Sequence, residues 1–223
     1  MTHPTTAKES TVAWASPLYV VRPMAPDDVP AVTAIERLSF PTPWLASSFL
    51  YELGRTDRSF YYVLLRPAED EETVSSERGW RHWLRGVISL SEESRVIGYV
   101  GLRILRAEVH ISTIAVHPEW RGKRLGELLL LTAMEQALGL GAGLVTLEVR
   151  ASNDVAQHLY RKYGFRFKGV HRGYYRDGED AWLMAVEVDG RAYRTRLADL
   201  RQALMGQVCC RRTGIGQKDR DTL

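Results

Sequence analysis

Ile111-Ser112-Thr113-Ile114-Ala115-Val116-His117-Pro118-Glu119-Trp120-Arg121-Gly122-Lys123-Arg124-Leu125-Gly126 is the stretch on which the fold turns. Its first six residues read as a β-strand. The strand breaks at His117-Pro118, because proline has no N–H to give a ladder and pushes its predecessor extended. From Leu125, the apolar residues Leu128, Leu129 and Leu131 keep helical spacing until Gly139, Gly141 and Gly143 end the run. A glycine-bearing basic turn that opens a helix suits phosphate. The first N–H groups of the helix lack internal acceptors and its dipole is positive there, and Arg121, Lys123 and Arg124 add full charges. A cofactor carrying a di- or triphosphate is the natural guest, although such a turn alone serves equally as a solvated cap.

Working outward, Leu144 to Arg150 reads as a second strand, and Ser152 or Asn153 caps a helix carrying Val155, Leu159 and Tyr163 at steps of four, ended by Gly164. Beyond it, Phe167 to Tyr175 and Ala181 to Val188 form a hairpin about Arg176-Asp177-Gly178-Glu179. Tyr193, Leu197, Leu200 and Leu204 mark an amphipathic helix ending at Gly206.

On the N-terminal side, Leu18 to Arg22 is a strand ended by Pro23. Asp27 or Asp28 caps a helix carrying Val29, Val32, Ile35, Glu36 and Leu38. The prolines of Phe40-Pro41-Thr42-Pro43-Trp44 interrupt it, and a short helix from Ala46 to Leu53 ends at Gly54. Ser59 to Leu65 is a strand by its aromatic and aliphatic content, and Gly86 to Leu90 and Arg95 to Leu105 follow as strands. The acidic, serine-bearing segment 67–84 reads as a mobile insertion, with Trp80 and Trp83 either packed back or marking a contact surface.

The alternation predicts an α/β (α+β) domain over 17–188, a mixed sheet with helices on both faces, preceded by a disordered tail at 1–16 and followed by a basic helix and tail at 189–223. A length of 223 residues suits one sizeable domain, and no repeat is present. With 45% apolar and 26% charged residues the composition is that of a globular protein, not a disordered or fibrous one. No apolar run suffices to span a bilayer and no signal-peptide segment is visible, so the expected location is the cytoplasm, with no membrane partner. Cys209 and Cys210 are adjacent, a poor staple and an incomplete metal site, and read as free thiols. His110, His117, His158 and His171 lack metal-ligand spacing, so no metal is assigned. The net charge of +3 conceals a basic C-terminus, where residues 190–223 hold eight Arg or Lys against three Asp. That tail suits weak contact with ribosomal RNA or an acidic partner, or is simply solvated; nothing suggests specific DNA binding.

Four strings together carry a resemblance: Ile114 to Pro118, the Arg121 to Gly126 turn, Leu147-Glu148-Val149-Arg150-Ala151-Ser152-Asn153, and Leu159-Tyr160 with Tyr163-Gly164-Phe165. They resemble the GCN5-related N-acetyltransferase (GNAT) family and, within it, the RimI type, which acetylates the N-terminal alanine of a ribosomal protein. The resemblance spans roughly Val20 to Val188. It implies a central sheet of about seven strands, splayed near its middle to admit acetyl-CoA as cosubstrate. By the same resemblance, Arg121, Gly122, Lys123, Arg124, Leu125 and Gly126 hold the pyrophosphate. Ile114, Ala115 and Val116 pair with the pantetheine arm, and Asn153 hydrogen-bonds that arm. The usual turn has glycine where this chain has Arg124, which either weakens the phosphate contact or replaces it with a charged one.

Acetyl transfer needs an uncharged amine, a base near that amine and an acid near the departing sulfur. The resemblance gives Glu148 the role of base, acting through water, and Tyr160, beside the cofactor, that of acid. Substrate contacts fall to Phe40, Pro41, Pro43 and Trp44 on one side and Tyr174 and Tyr175 on the other. Arg172-x-Tyr174-Tyr175 followed by Glu179-Asp180-Ala181 and Met184 matches the RimI type. The expected activity is α-amino acetylation of a protein N-terminus. The rival readings are a lysine or small-molecule amine acetyltransferase and a non-catalytic acetyl-CoA-binding module.

Overall fold

The computed structural model describes residues 14–15, 19–66, 95–106 and 108–210. Its elements are β1 (Trp14–Ala15), β2 (Val20–Pro23), α1 (Val29–Ser39), α2 (Ala46–Leu53), β3 (Ser59–Leu65), β4 (Val96–Leu105), β5 (Glu108–Val116), α3 (Leu125–Gly139), β6 (Leu144–Arg150), α4 (Asp154–Lys162), β7 (Arg166–His171), β8 (Ala181–Glu187) and α5 (Arg191–Cys210). The insertion at 67–84 with Trp80 and Trp83, the strand expected at Gly86 to Leu90 and the last residues of the basic tail lie outside the described residues.

The strands form one mixed sheet in the order β1-β2-β3-β4-β5-β6-β8-β7, flanked by helices as expected. Among the described strands only β5 and β6 run parallel, and that pair carries the architecture's main irregularity. Their ladder covers Glu108 to Ile111 against Leu144 to Leu147 and then stops, although both strands continue. Among the described strands, Ser112 to Val116 stay paired to β4 alone along most of their length, so a wedge opens in mid-sheet with one edge of β5 joined to no second strand. A bulge sits at the opening: Gly101 faces Thr113 while Leu102 faces Ile111, leaving Ser112 over. An extra residue reverses the alternation of side chains beyond it. Val109 and Ile111 thus share a face with Ile114 and Val116, whereas Thr113 and Ala115 turn to the other.

The two faces bury separate clusters. On one, β5 and β6 contribute Ile111, Val116, Val145, Leu147 and Val149, packed under α3 and α4. Helix α3 buries Leu128, Leu129, Leu130 and Leu131 alike, because α5 covers the side turned from the sheet with Leu197, Leu204 and Val208. On the other face, Val32 and Ile35 of α1 and Phe49 of α2 pack on Tyr61, Val63 and Tyr99. Phe49 meets Tyr61 and Tyr99 edge-on, at 6.1 and 5.7 Å between ring centres.

Several local expectations are corrected. Trp14–Ala15, placed in the disordered tail, pairs with Val20 and Val21. Asp28 does not cap α1 through its side chain; its carboxylate grips Arg22 at 2.6 and 2.7 Å and accepts from the Ala25 N–H. Val155 is not on the apolar stripe of α4 but 84% exposed, since the buried side is set by Gln157 and Tyr160. The last helix runs through Gly206 to Cys210, because burial of Leu204 and Val208 outweighs the roughly 1 kcal/mol that glycine costs a helix. The hairpin is not tight: β7 and β8 are joined by residues 172–180, within which Gly178 donates to the Tyr175 carbonyl.

Candidate active site

The uncovered edge of β5 leads directly into the basic turn. Helix α3 makes its first inward hydrogen bond from the Leu128 N–H to the Arg124 carbonyl, so Leu125, Gly126 and Glu127 have no helical acceptor for theirs. A Cβ built on Gly126 meets only a methyl of Val116 at 3.9 Å, and one on Gly122 meets nothing within 4 Å. The protein's own packing therefore does not require glycine at 126. A phosphate approaching the backbone does, and the residues present fit one.

The three cations of the turn are exposed, and each has a partner in the protein. Arg121 donates through Nε to the Val116 carbonyl at 3.1 Å and through its terminal nitrogen to Ser39 Oγ at 3.0 Å, tying the turn to the end of α1. Lys123 Nζ sits 4.2 Å above the Trp120 ring. Arg124 has φ 61°, the left-handed region, which explains why glycine is usual there. Its guanidinium binds Glu127 at 2.9 Å, and Glu127, almost wholly buried, also holds Lys162 on α4. Backbone N–H groups and the helix dipole, with cations beside them, are the features here that could hold an anion.

Glu148 lies on β6 just past the last β5–β6 pair, on the face opposite Leu147 and Val149. His110 Nε2 is 3.0 Å from its Oε2 and His171 Nδ1 is 3.8 Å from its Oε1. The hydrogen bond from His110, opposed by burial, holds the carboxyl below the usual glutamate range. Tyr160, on α4, is buried on the other face with its ring 5.8 Å from Phe165. Burial and the neighbouring Tyr175 push its phenol well above the ordinary tyrosine value, so it stays protonated at neutral pH. Asn153 accepts from the Ala156 N–H at 3.1 Å and caps α4.

A groove of about 650 Å³ runs between the α1–α2 loop and the β7–β8 loop. Pro43, Trp44, Tyr51 and Glu52 line one side, and Tyr174, Tyr175 and Arg176 the other. Phe40 and Pro41 are not among the lining residues; Phe40 packs on the core beneath α1. The β7–β8 loop is clamped to the end of β6. Arg150 binds Glu179 at 2.5 Å and Asp177 at 2.9 Å while its guanidinium lies 3.9 Å over the Tyr175 ring. Glu179 also accepts from the hydroxyl and the N–H of Ser152, and these bonds together with Arg150 hold its pKa at about 2. Burial raises the Tyr174 hydroxyl and lifts Tyr175 to about 12, and the Glu148 charge adds to both, which places this loop beside the carboxylate.

Three polar residues of this region carry no role in the sequence reading. His110 and His171 flank Glu148, but only the strand register reveals it. Glu36, 1% exposed on α1, accepts from Thr113 Oγ1 at 3.5 Å. Burial pushes its carboxyl up, opposed by the nearby polar groups of Tyr99, the Trp44 backbone and Thr113, while its Oε2 has no hydrogen-bond partner among the described residues. A glutamate in the apolar stripe with Val32 and Ile35 was its signal. Among the described residues, no three metal-ligating side chains are grouped to hold an ion.

The sequence profile of the acetyltransferase (GNAT) family matches residues 30–165. The chain belongs to that family. One relative, from Bacillus subtilis (strain 168) and provisionally named a [ribosomal protein bS18]-alanine N-acetyltransferase, is 34% identical over 170 residues, covering 76% of this chain and 95% of that one. The Escherichia coli (strain K12) [ribosomal protein bS18]-alanine N-acetyltransferase is 31% identical over 121 residues, 53% of this chain and 80% of that one. Among solved structures, the E. coli ribosomal-protein-S18-alanine N-acetyltransferase superposes with a TM-score of 0.59 at 25% identity, covering 77% of this chain and 95% of that one. Arabidopsis thaliana NAA60, solved with acetyl-CoA, shares the fold with a TM-score of 0.62 at 19% identity, over 77% and 99% of the two chains. The protein is thus an N-acetyltransferase of the GNAT type. No helix among the described residues is long and apolar enough to cross a membrane.

Proposed function

We propose that this GNAT enzyme uses acetyl-CoA to acetylate the α-amino group of a protein N-terminus, with a ribosomal protein beginning with alanine as its substrate. The observation that carries the reading is the groove walled by Pro43 and Trp44 against Tyr174 and Tyr175, with Glu148 beside its tyrosine wall. Stiff aromatic and proline walls suit a threaded main chain with a small first residue. The identity to alanine N-acetyltransferases of ribosomal protein bS18 supports the same substrate.

When bound, acetyl-CoA supplies a thioester as acetyl donor. The free N–H groups opening α3 would hold its pyrophosphate beside Gly122 and Gly126, and the β5 edge at Ile114, Ala115 and Val116, where the Val116 carbonyl already accepts from Arg121, would pair with the amides of its arm. Asn153 spends its side-chain oxygen on the helix cap and serves the arm only through its remaining groups. Glu148, kept ionised by its neighbours, takes the proton that the attacking amine sheds. Tyr160, still protonated, donates to the sulfur as it leaves. A terminal amine has a reference pKa of about 7.7 to 8.0 against about 10.4 for lysine, so far more of it is uncharged at neutral pH.

The deciding assay supplies labelled acetyl-CoA with alanine-initiated peptides whose α-amine is free or blocked and which contain an internal lysine. Label is expected only where the α-amine is free. Label that ignores the block transfers the assignment to lysine, and none on any amine removes the enzymatic reading.

A further inference from the structure

His110 lies on β5 opposite Thr146 in the parallel register, one pair before the ladder ends. Both of its ring nitrogens are engaged: Nε2 stands 3.0 Å from Glu148 Oε2, and Nδ1 stands 3.0 Å from Thr146 Oγ1. A carboxylate only accepts, so Nε2 carries the proton. The threonine hydroxyl, able to donate or accept, matches Nδ1 whether the ring is neutral or charged. The other carboxylate oxygen, Oε1, faces His171 Nδ1 at 3.8 Å, too far for a hydrogen bond. His171 is also half-exposed at the end of β7, whereas His110 is largely enclosed. The two oxygens of Glu148 are therefore unequal: one is tied to the sheet, the other open.

We propose that His110, set by Thr146, is a positioning residue that anchors Glu148 through Oε2 and leaves Oε1 to take the proton of the substrate amine. This rests on the reading of Glu148 as proton acceptor. The bookkeeping of the step is closed. As the bond from amine nitrogen to acetyl carbon forms, one N–H proton passes to Oε1 directly or through a water, and the Nε2 proton stays on His110. As the carbon–sulfur bond breaks, its electron pair leaves on sulfur, which receives the Tyr160 proton. An unanchored carboxylate would rotate and offer either oxygen at a range of angles, losing the alignment on which general-base catalysis depends.

The groups facing Glu148 are His110 from β5, His171 from β7, and Tyr174 and Tyr175 from the β7–β8 loop. Of these, His110 does most to keep its carboxyl low, while burial works the other way. Taking His110 away therefore leaves burial in command and moves the Glu148 titration upward.

The test compares the full chain with His110→Leu and His110→Gln, using acetyl-CoA and a peptide with a free N-terminal alanine. The Glu148 carboxyl is followed by NMR with ¹³C-labelled glutamate, Glu148→Gln giving its assignment. In His110→Leu, the Glu148 titration and the acid limb of kcat/KM both move to higher pH. Its kcat falls about tenfold to a hundredfold, below the full range of general-base effects, and KM for acetyl-CoA is unchanged because the α3 turn is untouched. Gln presents an amide N–H at the place of Nε2 and restores most of both. A Glu148 titration that stays put in His110→Leu, or a kcat within twofold of the parent, overturns the proposal. Should the parent chain acetylate no amine, the functional reading fails, and the carboxyl titration still decides the anchoring role.

Discussion

Replacing Gly126 by Asp separates two demands that the same few atoms of α3 are asked to meet. For the protein, the change is benign: the new Cβ meets one methyl at 3.9 Å. A carboxylate in the first helical turn gains about 0.3–1 kcal/mol from the dipole, and leaving glycine adds a few tenths more. The melting temperature should hold or rise, at about 2–4 °C per kcal/mol for a chain of this size. For a phosphate held by the same N–H groups, the change brings a negative charge to about 5 Å. At an effective dielectric constant near 20, that repulsion is about 3 kcal/mol, and screening leaves about 1.5–3, or about a tenfold to hundredfold loss of affinity. Calorimetry with CoA at several salt concentrations, beside thermal unfolding of the same samples, measures both effects, and the loss should shrink as salt rises. A folded Gly126→Asp protein that binds CoA within twofold of the parent refutes the phosphate cradle.

Tyr160→Phe should lower kcat about a hundredfold with KM for peptide and acetyl-CoA nearly unchanged, since the ring keeps its place against Phe165; steady-state kinetics checks this. Trp44→Ala with Tyr175→Ala should raise peptide KM by about tenfold or more, because two groove walls are lost, while CoA affinity measured by calorimetry holds. Glu179 has its pKa depressed to about 2, so the clamp on the β7–β8 loop is fully present above the ordinary glutamate value and is lost only as pH falls through about 2. Acid titration of tyrosine fluorescence should show a loop transition at higher pH in Glu179→Gln than in the parent. Glu36 behaves oppositely: its raised carboxyl binds protons more tightly folded than unfolded, so it subtracts stability as pH climbs above the unfolded value. Glu36→Gln should flatten that decline in a urea series against pH, whereas Glu36→Ala, removing the acceptor of the Thr113 hydroxyl, should cost about 1–3 kcal/mol.

Where a feature depends on local pattern, the sequence displays it. Helix α2 begins and ends where proline, apolar spacing and Gly54 say it must, and the β5–turn–α3 unit follows from Pro118 and the leucine spacing. Where a feature depends on which strands meet, the sequence is silent. The Ile-Ser-Thr-Ile run gives no sign that Ser112 is bulged, yet the bulge decides that Thr113 rather than Ile114 faces α1. His110 and Glu148 are distant in the chain and touch only because β5 and β6 run parallel in one register. Val155 misled for a related reason: steps of four fit several faces of a nine-residue helix, and burial of Tyr160 selects another. The basic turn was legible as a cationic stretch, but the partners of its side chains were not, since Ser39, Trp120 and Glu127 meet them only in the fold.

Glu148 and Tyr160 lie on opposite faces of the sheet, and the wedge between β5 and β6 interrupts that sheet beside the strand that carries Glu148. Tyr175, a wall of the groove, is the neighbour whose charge is felt by the phenol and which feels that of the carboxylate. On the proposed reading, the proton the amine loses and the proton the sulfur gains are then handled from opposite faces of one sheet.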